Sequence, residues 1–283
     1  MTDTIAYFTE SESVDAVTAR VGERTDPRIS LVMNALVTHL HAFIKDVELT
    51  QAEWALAVEF LTTTGQMCDG NRQEFILLSD VLGVSMLVDA INNRRPAGAT
   101  ENTVLGPFHV DGVPEYEMGT NISKDGGKET CLFQGIVTDL GGKPLEGARI
   151  DVWSDNEDGF YDVQQPGIQP HNNNRGVFVT GPDGLYWFEG IKPVSYPIPN
   201  DGPVGQLLGN LGRHPYRPAH MHFIVSAPGF ETVITHTFVA GDTYLKSDAV
   251  FGVKKTLIAE YTQTPDGDTR WQSTFDFIMT PDT

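Results

Sequence analysis

With 283 residues, 40% of them hydrophobic and 20% charged, the chain has the composition of a globular protein with room for one large or two modest domains. A net charge of −19 excludes long-range attraction to nucleic acid or to anionic membrane surfaces, and leaves a neutral small molecule unpenalised. Cys68 and Cys131 form neither a CxxC pair nor a disulfide framework, no basic start with an apolar core follows Met1, and no apolar run approaches a membrane span, so a cytoplasmic chain is expected.

The first third reads as helix. Between residues 28 and 47, Leu31, Val32, Ala35, Leu36, His39, Leu40, Phe43, Ile44 and Val47 recur at three- and four-residue steps. Thr50-Gln51-Ala52-Glu53 has the form of a capping box ahead of Trp54, Leu56, Ala57, Phe60 and Leu61. A third helix is expected from Gln73 to Asn92, weakened or split at Gly83, and Arg94-Arg95-Pro96-Ala97-Gly98 closes the region. His39 and His41 diverge on their helix and read as surface or interface groups. The broad apolar faces of these helices exceed what a sandwich of the remaining length can bury. Residues 1–98 are therefore expected to form an all-helical dimerisation and linker region.

The pattern changes after residue 98. Residues 131–138 read as a strand, Asp139-Leu140-Gly141-Gly142-Lys143-Pro144 as a turn, and residues 148–153 as the return strand. Further strands are expected at 176–180, 185–189, 220–226, 231–240 and 270–279, punctuated by Pro182-Asp183-Gly184 and Ala227-Pro228-Gly229. Many short strands with regular turns predict a mixed-topology β-sandwich over residues 99–283, hence an α+β chain overall. Residues 190–219, rich in Gly and Pro, read as one long functional loop.

That loop leads into Arg217-Pro218-Ala219-His220-Met221-His222-Phe223. Alternation along a strand sends His220 and His222 to the same side, where both imidazoles can reach one ion. Two tyrosines lie upstream in turn-rich settings, Tyr161 in Asp158-Gly159-Phe160-Tyr161-Asp162 and Tyr196 in Ser195-Tyr196-Pro197-Ile198-Pro199. Tyr216, near His220 in sequence, competes with them. Phenol has a reference pKa of roughly 10 and coordinates well only as phenolate. A strongly charged, hard cation such as Fe(III) suits it better than Fe(II) or zinc. Taken singly, each of these residues has a structural reading as well: a pair of strand histidines, and tyrosines packed in turns.

The set Tyr161, Tyr196, Arg217-Pro218-Ala219-His220-Met221-His222 and Ala240-Gly241-Asp242-Thr243-Tyr244-Leu245 resembles the intradiol ring-cleaving dioxygenases over nearly the whole chain, including Val104-Leu105-Gly106-Pro107-Phe108. Arg72-Gln73-Glu74-Phe75-Ile76-Leu77-Leu78-Ser79-Asp80, Asp158-Gly159-Phe160-Tyr161-Asp162-Val163-Gln164 and Tyr196-Pro197-Ile198-Pro199-Asn200-Asp201-Gly202-Pro203-Val204-Gly205 are most similar to the hydroxyquinol-cleaving branch. The resemblance implies one Fe(III) per subunit, held by Tyr161 and His220 equatorially and Tyr196 and His222 axially, with Arg217 beside the substrate. It implies a pocket of Leu77, Asp80, Val104, Pro197, Ile198, Arg217 and His236, the last standing where catechol-cleaving members carry glutamine. It further implies a homodimer with a phospholipid in the helical region. The implied reaction opens hydroxyquinol (1,2,4-trihydroxybenzene) with O2 to 3-hydroxy-cis,cis-muconate, the tautomer of maleylacetate, with Tyr196 leaving the iron and taking a proton. Catechol or chlorocatechol cleavage is the rival enzyme reading, and a transthyretin-like binding module the rival without catalysis.

Overall fold

The computed structural model describes residues 7–70, 72–265 and 267–282. The chain forms two compact units, one ending at Thr63 and the other starting at Thr64. The first holds helices α1 (Ser13–Thr18) and α2 (Pro27–Asp46), and α3 (Gln51–Gln66) runs across the boundary. The Asp26 carboxylate caps α2 by accepting from the amides of Arg28 and Ile29, and Pro27 occupies its first turn, where no amide is needed. The expected capping box starts α3: the Thr50 amide donates to Glu53 Oε2 at 2.9 Å, and the Glu53 amide to Thr50 Oγ1 at 3.3 Å. His39 is exposed, and half-buried His41 sets Nδ1 3.2 Å from Ser13 Oγ.

In the second unit the helix expected over 73–92 is two, α4 (Glu74–Val81) and α5 (Val84–Asn92). Gly83 between them has φ +73, a left-handed conformation that breaks the helix and that glycine adopts without strain. The strands follow: β1 (Thr130–Asp139), β2 (Arg149–Trp153), β3 (Arg175–Val179), β4 (Leu185–Ile191) and β5 (Tyr196–Pro197). After α6 (Pro203–Asn210) come β6 (Tyr216–Arg217), β7 (His220–Ser226), β8 (Val233–Val239), β9 (Ile258–Ala259), β10 (Tyr261–Gln263), β11 (Trp271–Thr274) and β12 (Phe277–Met279). One sheet has the order β10-β11-β1-β12, with β4 also paired to β1; the other is β3-β2-β7-β8-β9. Both mix parallel and antiparallel pairs. Val137 and Phe188 of the first sheet meet Ile150, Val152, Phe178, Phe223 and Val225 of the second in a core with essentially no solvent contact.

Three expectations are corrected here. Strand β2 is not the return strand of β1: the two belong to different sheets. The chain does double back as far as a bridge between Thr138 and Pro144, but proline has no amide to extend the ladder. Leu145 and Ala148 then bury in the core on the way to the second sheet. The strand expected at 270–279 is β11 plus β12, both parallel to β1. Between them the Phe275 amide donates to Gln134 O at 2.9 Å, and a Cβ on Gly135 would lie 1.9 Å from Phe275 O, so glycine is what the bulge admits. Residues 190–219 are not loop throughout: they contain α6 and the two-residue ladder β5–β6. The strand over 220–226 is found as expected, the other expected strands differ by one or two residues at their ends, and β9 and β10 were not expected. Cys131 is buried, which pushes its thiol up to about 12, Cys68 is half-buried, and both are free.

Candidate metal centre

Alternation along β7 builds the site. Met221, Phe223 and Val225 enter the core between the sheets, so His220 and His222 take the opposite face. Neighbouring strands line that face. In register, Trp153 of β2 and His236 of β8 flank His222. The Trp153 and His222 rings stack 4.6 Å apart, 15° from parallel. Tyr161 comes from the loop after β2 and Tyr196 from β5. Gly159 at φ +80 lets the first loop pass so closely that a Cβ there would lie 3.0 Å from Tyr196 Cβ.

Four donor atoms converge. The Tyr161 hydroxyl lies 2.9 Å from His222 Nε2 and 3.3 Å from the Tyr196 hydroxyl. The Tyr196 hydroxyl lies 3.4 Å from His220 Nε2, and the two Nε2 atoms are 3.2 Å apart. All four residues are buried. His220 Nδ1 donates to Pro218 O at 2.7 Å, which fixes the tautomer and leaves Nε2 as a bare lone pair. Burial, with Arg217 second for His220 and His236 second for His222, lowers both imidazole pKa values well below the ordinary range, so neither ring carries a charge. Burial, reinforced by Tyr196, lifts the Tyr161 phenol well above 10. Burial also raises Tyr196, against the opposing pull of Arg217. Two imidazole nitrogens and two phenol hydroxyls aimed at one point, with no carboxylate among them, fit a hard, highly charged cation that displaces the phenol protons. Fe(III) is that kind of ion.

Arg217 Nη1 lies 3.1 Å from His220 Nε2, and Arg217 Nε donates to Asp248 Oδ1 at 3.3 Å. Burial works against the guanidinium charge, but Asp248, Tyr196 and Tyr161 together outweigh it, and Arg217 stays cationic. Asp248 also accepts from the amides of Val250 and Gly252 at 3.2 and 2.8 Å. His236 donates or accepts at Thr103 Oγ1 through Nδ1, at 2.6 Å, and its Nε2 has no partner among the described residues. Candidate ligand atoms of His220, His222 and His236 lie within 4.8 Å of one another, a looser set than the four donors above.

A cavity of about 530 Å³ opens beside the cluster, lined in part by Leu77, Asp80, Val104, Gly106 and Phe108. Phe108 stacks on Tyr161 at 4.5 Å, and a Cβ on Gly106, itself at φ +79, would touch His222 Cε1 at 3.0 Å, so the wall reaches two of the four donors. Of the residues expected in the pocket, Leu77, Asp80 and Val104 line this cavity. Arg217 and His236 border the donor cluster, Ile198 packs in an apolar cluster with Val81 and Leu77, and Pro197 is exposed. Tyr216 does not join the donors; it stacks on Tyr244 at 4.8 Å. Asp248, Trp153, Phe108 and Thr103 were not singled out from sequence, and only the resemblance around Gly106 and Phe108 offered a signal for any of them.

A β-sandwich with a buried cluster of two histidines and two tyrosines defines a mononuclear non-haem metal enzyme of the ferric class. Residues 26–100 match the family model "Catechol dioxygenase N terminus" and residues 105–281 match "Dioxygenase". The chain belongs to the intradiol ring-cleavage dioxygenases. It is 57% identical to hydroxyquinol 1,2-dioxygenase of a Rhizobium species over 92% of this chain and 88% of that protein. It is 50% identical to 6-chlorohydroxyquinol 1,2-dioxygenase of Cupriavidus pinatubonensis, over 94% and 95%. The crystal structure of hydroxyquinol 1,2-dioxygenase from Pseudomonas putida superposes with a TM-score of 0.93 at 44% identity, covering 96% of this chain and 99% of that one. Family membership sets aside the binding-module reading. Among the described residues no helix is long and apolar enough to cross a membrane.

Proposed function

We propose that this protein opens hydroxyquinol with O2 between its two adjacent hydroxylated carbons. The carrying observation is the convergence of Tyr161, Tyr196, His220 and His222 beside a cavity that holds Asp80 among apolar walls. These four are the residues that would hold the iron. Ferric iron held there supplies a Lewis acid for the two adjacent ring oxygens and the electron exchange that lets the bound ring react with O2.

The chain's own residues do the rest. Tyr196, as phenolate, accepts a proton at its hydroxyl oxygen when a diol takes its place, so the base is already in position. Arg217 stays cationic, 3.1 Å from His220 Nε2, and stabilises negative charge that develops on the ring. Leu77, Val104 and Phe108 exclude water from the ring faces, and Asp80 accepts from the third hydroxyl of hydroxyquinol. Ile198 supports this wall from behind, Pro197 fixes the segment after Tyr196, and His236 fills the space beside His222.

Residues 1–98 serve as the dimerisation and linker region and residues 99–283 as the catalytic region of a cytoplasmic homodimer. Leu31, Leu36, Phe43, Trp54 and Leu56 support the pairing: each is more than half exposed, an uncovered apolar face that a second copy would bury. A phospholipid in that region belongs to the same reading. Oxygen uptake with hydroxyquinol, catechol and chlorocatechols, on protein of measured iron content, tests the reaction. A red to purple protein that turns over hydroxyquinol fastest is expected. A colourless preparation without recoverable iron-dependent turnover refutes it, and faster turnover of catechol moves the assignment to that substrate. Light scattering that finds a monomer at micromolar concentration rejects the dimer, and mass spectrometry of a denatured extract tests the lipid.

A further inference from the structure

Two of the four donors each follow a residue bound to the same carboxylate. Asp242 Oδ2 accepts from Ser195 Oγ at 2.5 Å and from the Ala219 amide at 3.1 Å. Ser195 precedes Tyr196, and Ala219 precedes His220. The carboxylate is itself tied down. Its Oδ1 accepts from the Tyr244 amide at 2.8 Å, and the Asp242 amide donates to Val239 O at 3.2 Å. The Val239 amide donates to Ala219 O at 2.9 Å, where the β7–β8 ladder ends at the His220–Phe238 pair. Asp242 therefore stands on the sheet that carries the histidines and reaches out to the segment that carries Tyr196.

That segment has little other support from the sheets. Among the described residues strand β5 pairs only with β6, over the two positions Tyr196–Arg217 and Pro197–Tyr216. A two-residue ladder is too short to fix a strand along its own length. A ligand that gives up its place and returns needs a backbone that stays still while the side chain turns. One carboxylate oxygen shared by the residues before Tyr196 and before His220 meets that need. We infer that Asp242 is a positioning residue, which sets the separation of Tyr196 from His220 by holding both chain segments on a single oxygen. The inference rests on the reading of Tyr196 and His220 as iron ligands. It gives a role to the Ala240-Gly241-Asp242 segment, whose hydrogen bonds run to Ser195, Ala219, Tyr244, Leu245, Val239 and Ala259 and not to the four donor atoms.

The test compares Ser195→Ala, Ser195→Thr, Asp242→Asn and Tyr196→Phe, each loaded with iron and each metal-free. Ser195→Ala and Asp242→Asn should displace the visible phenolate-to-iron band. They should lower iron affinity and kcat about tenfold to a hundredfold, the usual effect of losing a group that orients a ligand, with KM changed less than kcat. Ser195→Thr, which keeps the hydroxyl, should restore the band and the rate. The metal-free melting temperature of Ser195→Ala should stay close to that of the unaltered protein. An unaltered band, iron affinity and kcat in Ser195→Ala overturns the inference. A rate loss that only follows a lower melting temperature, with the band in place, overturns it equally, because that is a purely structural role. Tyr196→Phe keeps the two ideas apart. If it leaves the band untouched, the ligand reading itself fails; if it alters the band while the Ser195 and Asp242 variants do not, only the positioning role fails. Should Asp242→Asn not fold, the two Ser195 variants decide.

Discussion

Asp80→Leu is the substitution that most directly tests substrate choice. Asp80 lies on α4, facing the cavity with Leu77 and Val104 as apolar neighbours. Burial raises its pKa from the ordinary value, while a hydrogen bond from Ser85 and the charge of Arg217 pull it down and Asp248 pushes it up. Its charge is thus held at a cost, one relieved by a donor from the substrate. The third hydroxyl of hydroxyquinol supplies that donor and catechol does not. A hydrogen bond to a charged group contributes about 1.5–3 kcal/mol net, which is about tenfold to 140-fold in kcat/KM at roughly 1.4 kcal/mol per factor of ten. Asp80→Leu should reduce the hydroxyquinol-to-catechol ratio of kcat/KM within that range, and Asp80→Asn, which keeps an acceptor, should reduce it less. The sign of the stability effect is opposite. A carboxyl whose folded pKa is raised loses stability as pH climbs from the unfolded value, about 4, towards the folded one. The leucine variant escapes that loss, so its advantage in melting temperature should grow from about pH 4 to neutrality. Oxygen uptake on both substrates and thermal melts at the two pH values provide the measurements. A substrate ratio unchanged in both variants would falsify the assignment and leave Leu77, Val104, Pro197, Ile198 and His236 to explain selectivity.

The two tyrosines should behave differently: Tyr161→Phe should lose most of the iron and colour, whereas Tyr196→Phe should keep more iron but lose turnover. Iron content and rate on both variants check this, and equal iron retention with equal loss of rate counts against it. Both phenols are protonated without metal and both imidazoles are already neutral, so binding Fe(III) should release two protons from these four groups. Affinity should then fall about a hundredfold for each unit that pH drops, after correction for the competing chelator, and a slope near zero contradicts the phenolate ligands. In the cavity wall, Arg72 bridges buried Glu74 at 2.8 Å and exposed Asp201 at 2.8 Å, and Glu74 also accepts from the Val204 amide at 3.2 Å. Asp201→Ala should cost at most about 1 kcal/mol in urea melts, as exposed pairs do. Glu74→Ala should cost more, about 1–3 kcal/mol, because it leaves the buried Val204 amide without its acceptor, and equal losses refute the division.

The elements that repeat locally were legible in the sequence. Apolar residues at three- and four-residue steps marked α2 and α3, Thr50 and Glu53 marked a helix start, and Gly83 marked the break between α4 and α5. The pair His220 and His222 could be placed on one face because strand alternation depends only on adjacent residues. Tyr161 and Tyr196 came within reach as candidates through the chemistry of phenolate and the family resemblance. Sequence left Tyr216 open beside them, and only its stack on Tyr244 removed it.

What the tertiary structure decided concerns partners far apart in the chain. Alternation within residues 148–153 is the same whether β2 pairs with β1 or with β7, so the return-strand reading could not be tested locally. The burial of Leu145 and Ala148 between two sheets settled it. Helix α6 hid in a segment whose glycines and prolines signal loop, because Pro203 sits in its first turn and Val204 and Leu208 gain their burial from α4. Asp242 stands out in the sequence only as part of the Ala240–Leu245 motif, and Asp248 looks like an ordinary polar residue near a turn. Their roles arise from donors on Ser195, Ala219 and Arg217, between 23 and 47 residues away for each contact. Local sequence fixes which face a side chain takes, since that depends on backbone geometry over a few residues. Which groups then share a carboxylate or an ion depends on how distant segments close on one another, and only the folded chain brings those atoms together.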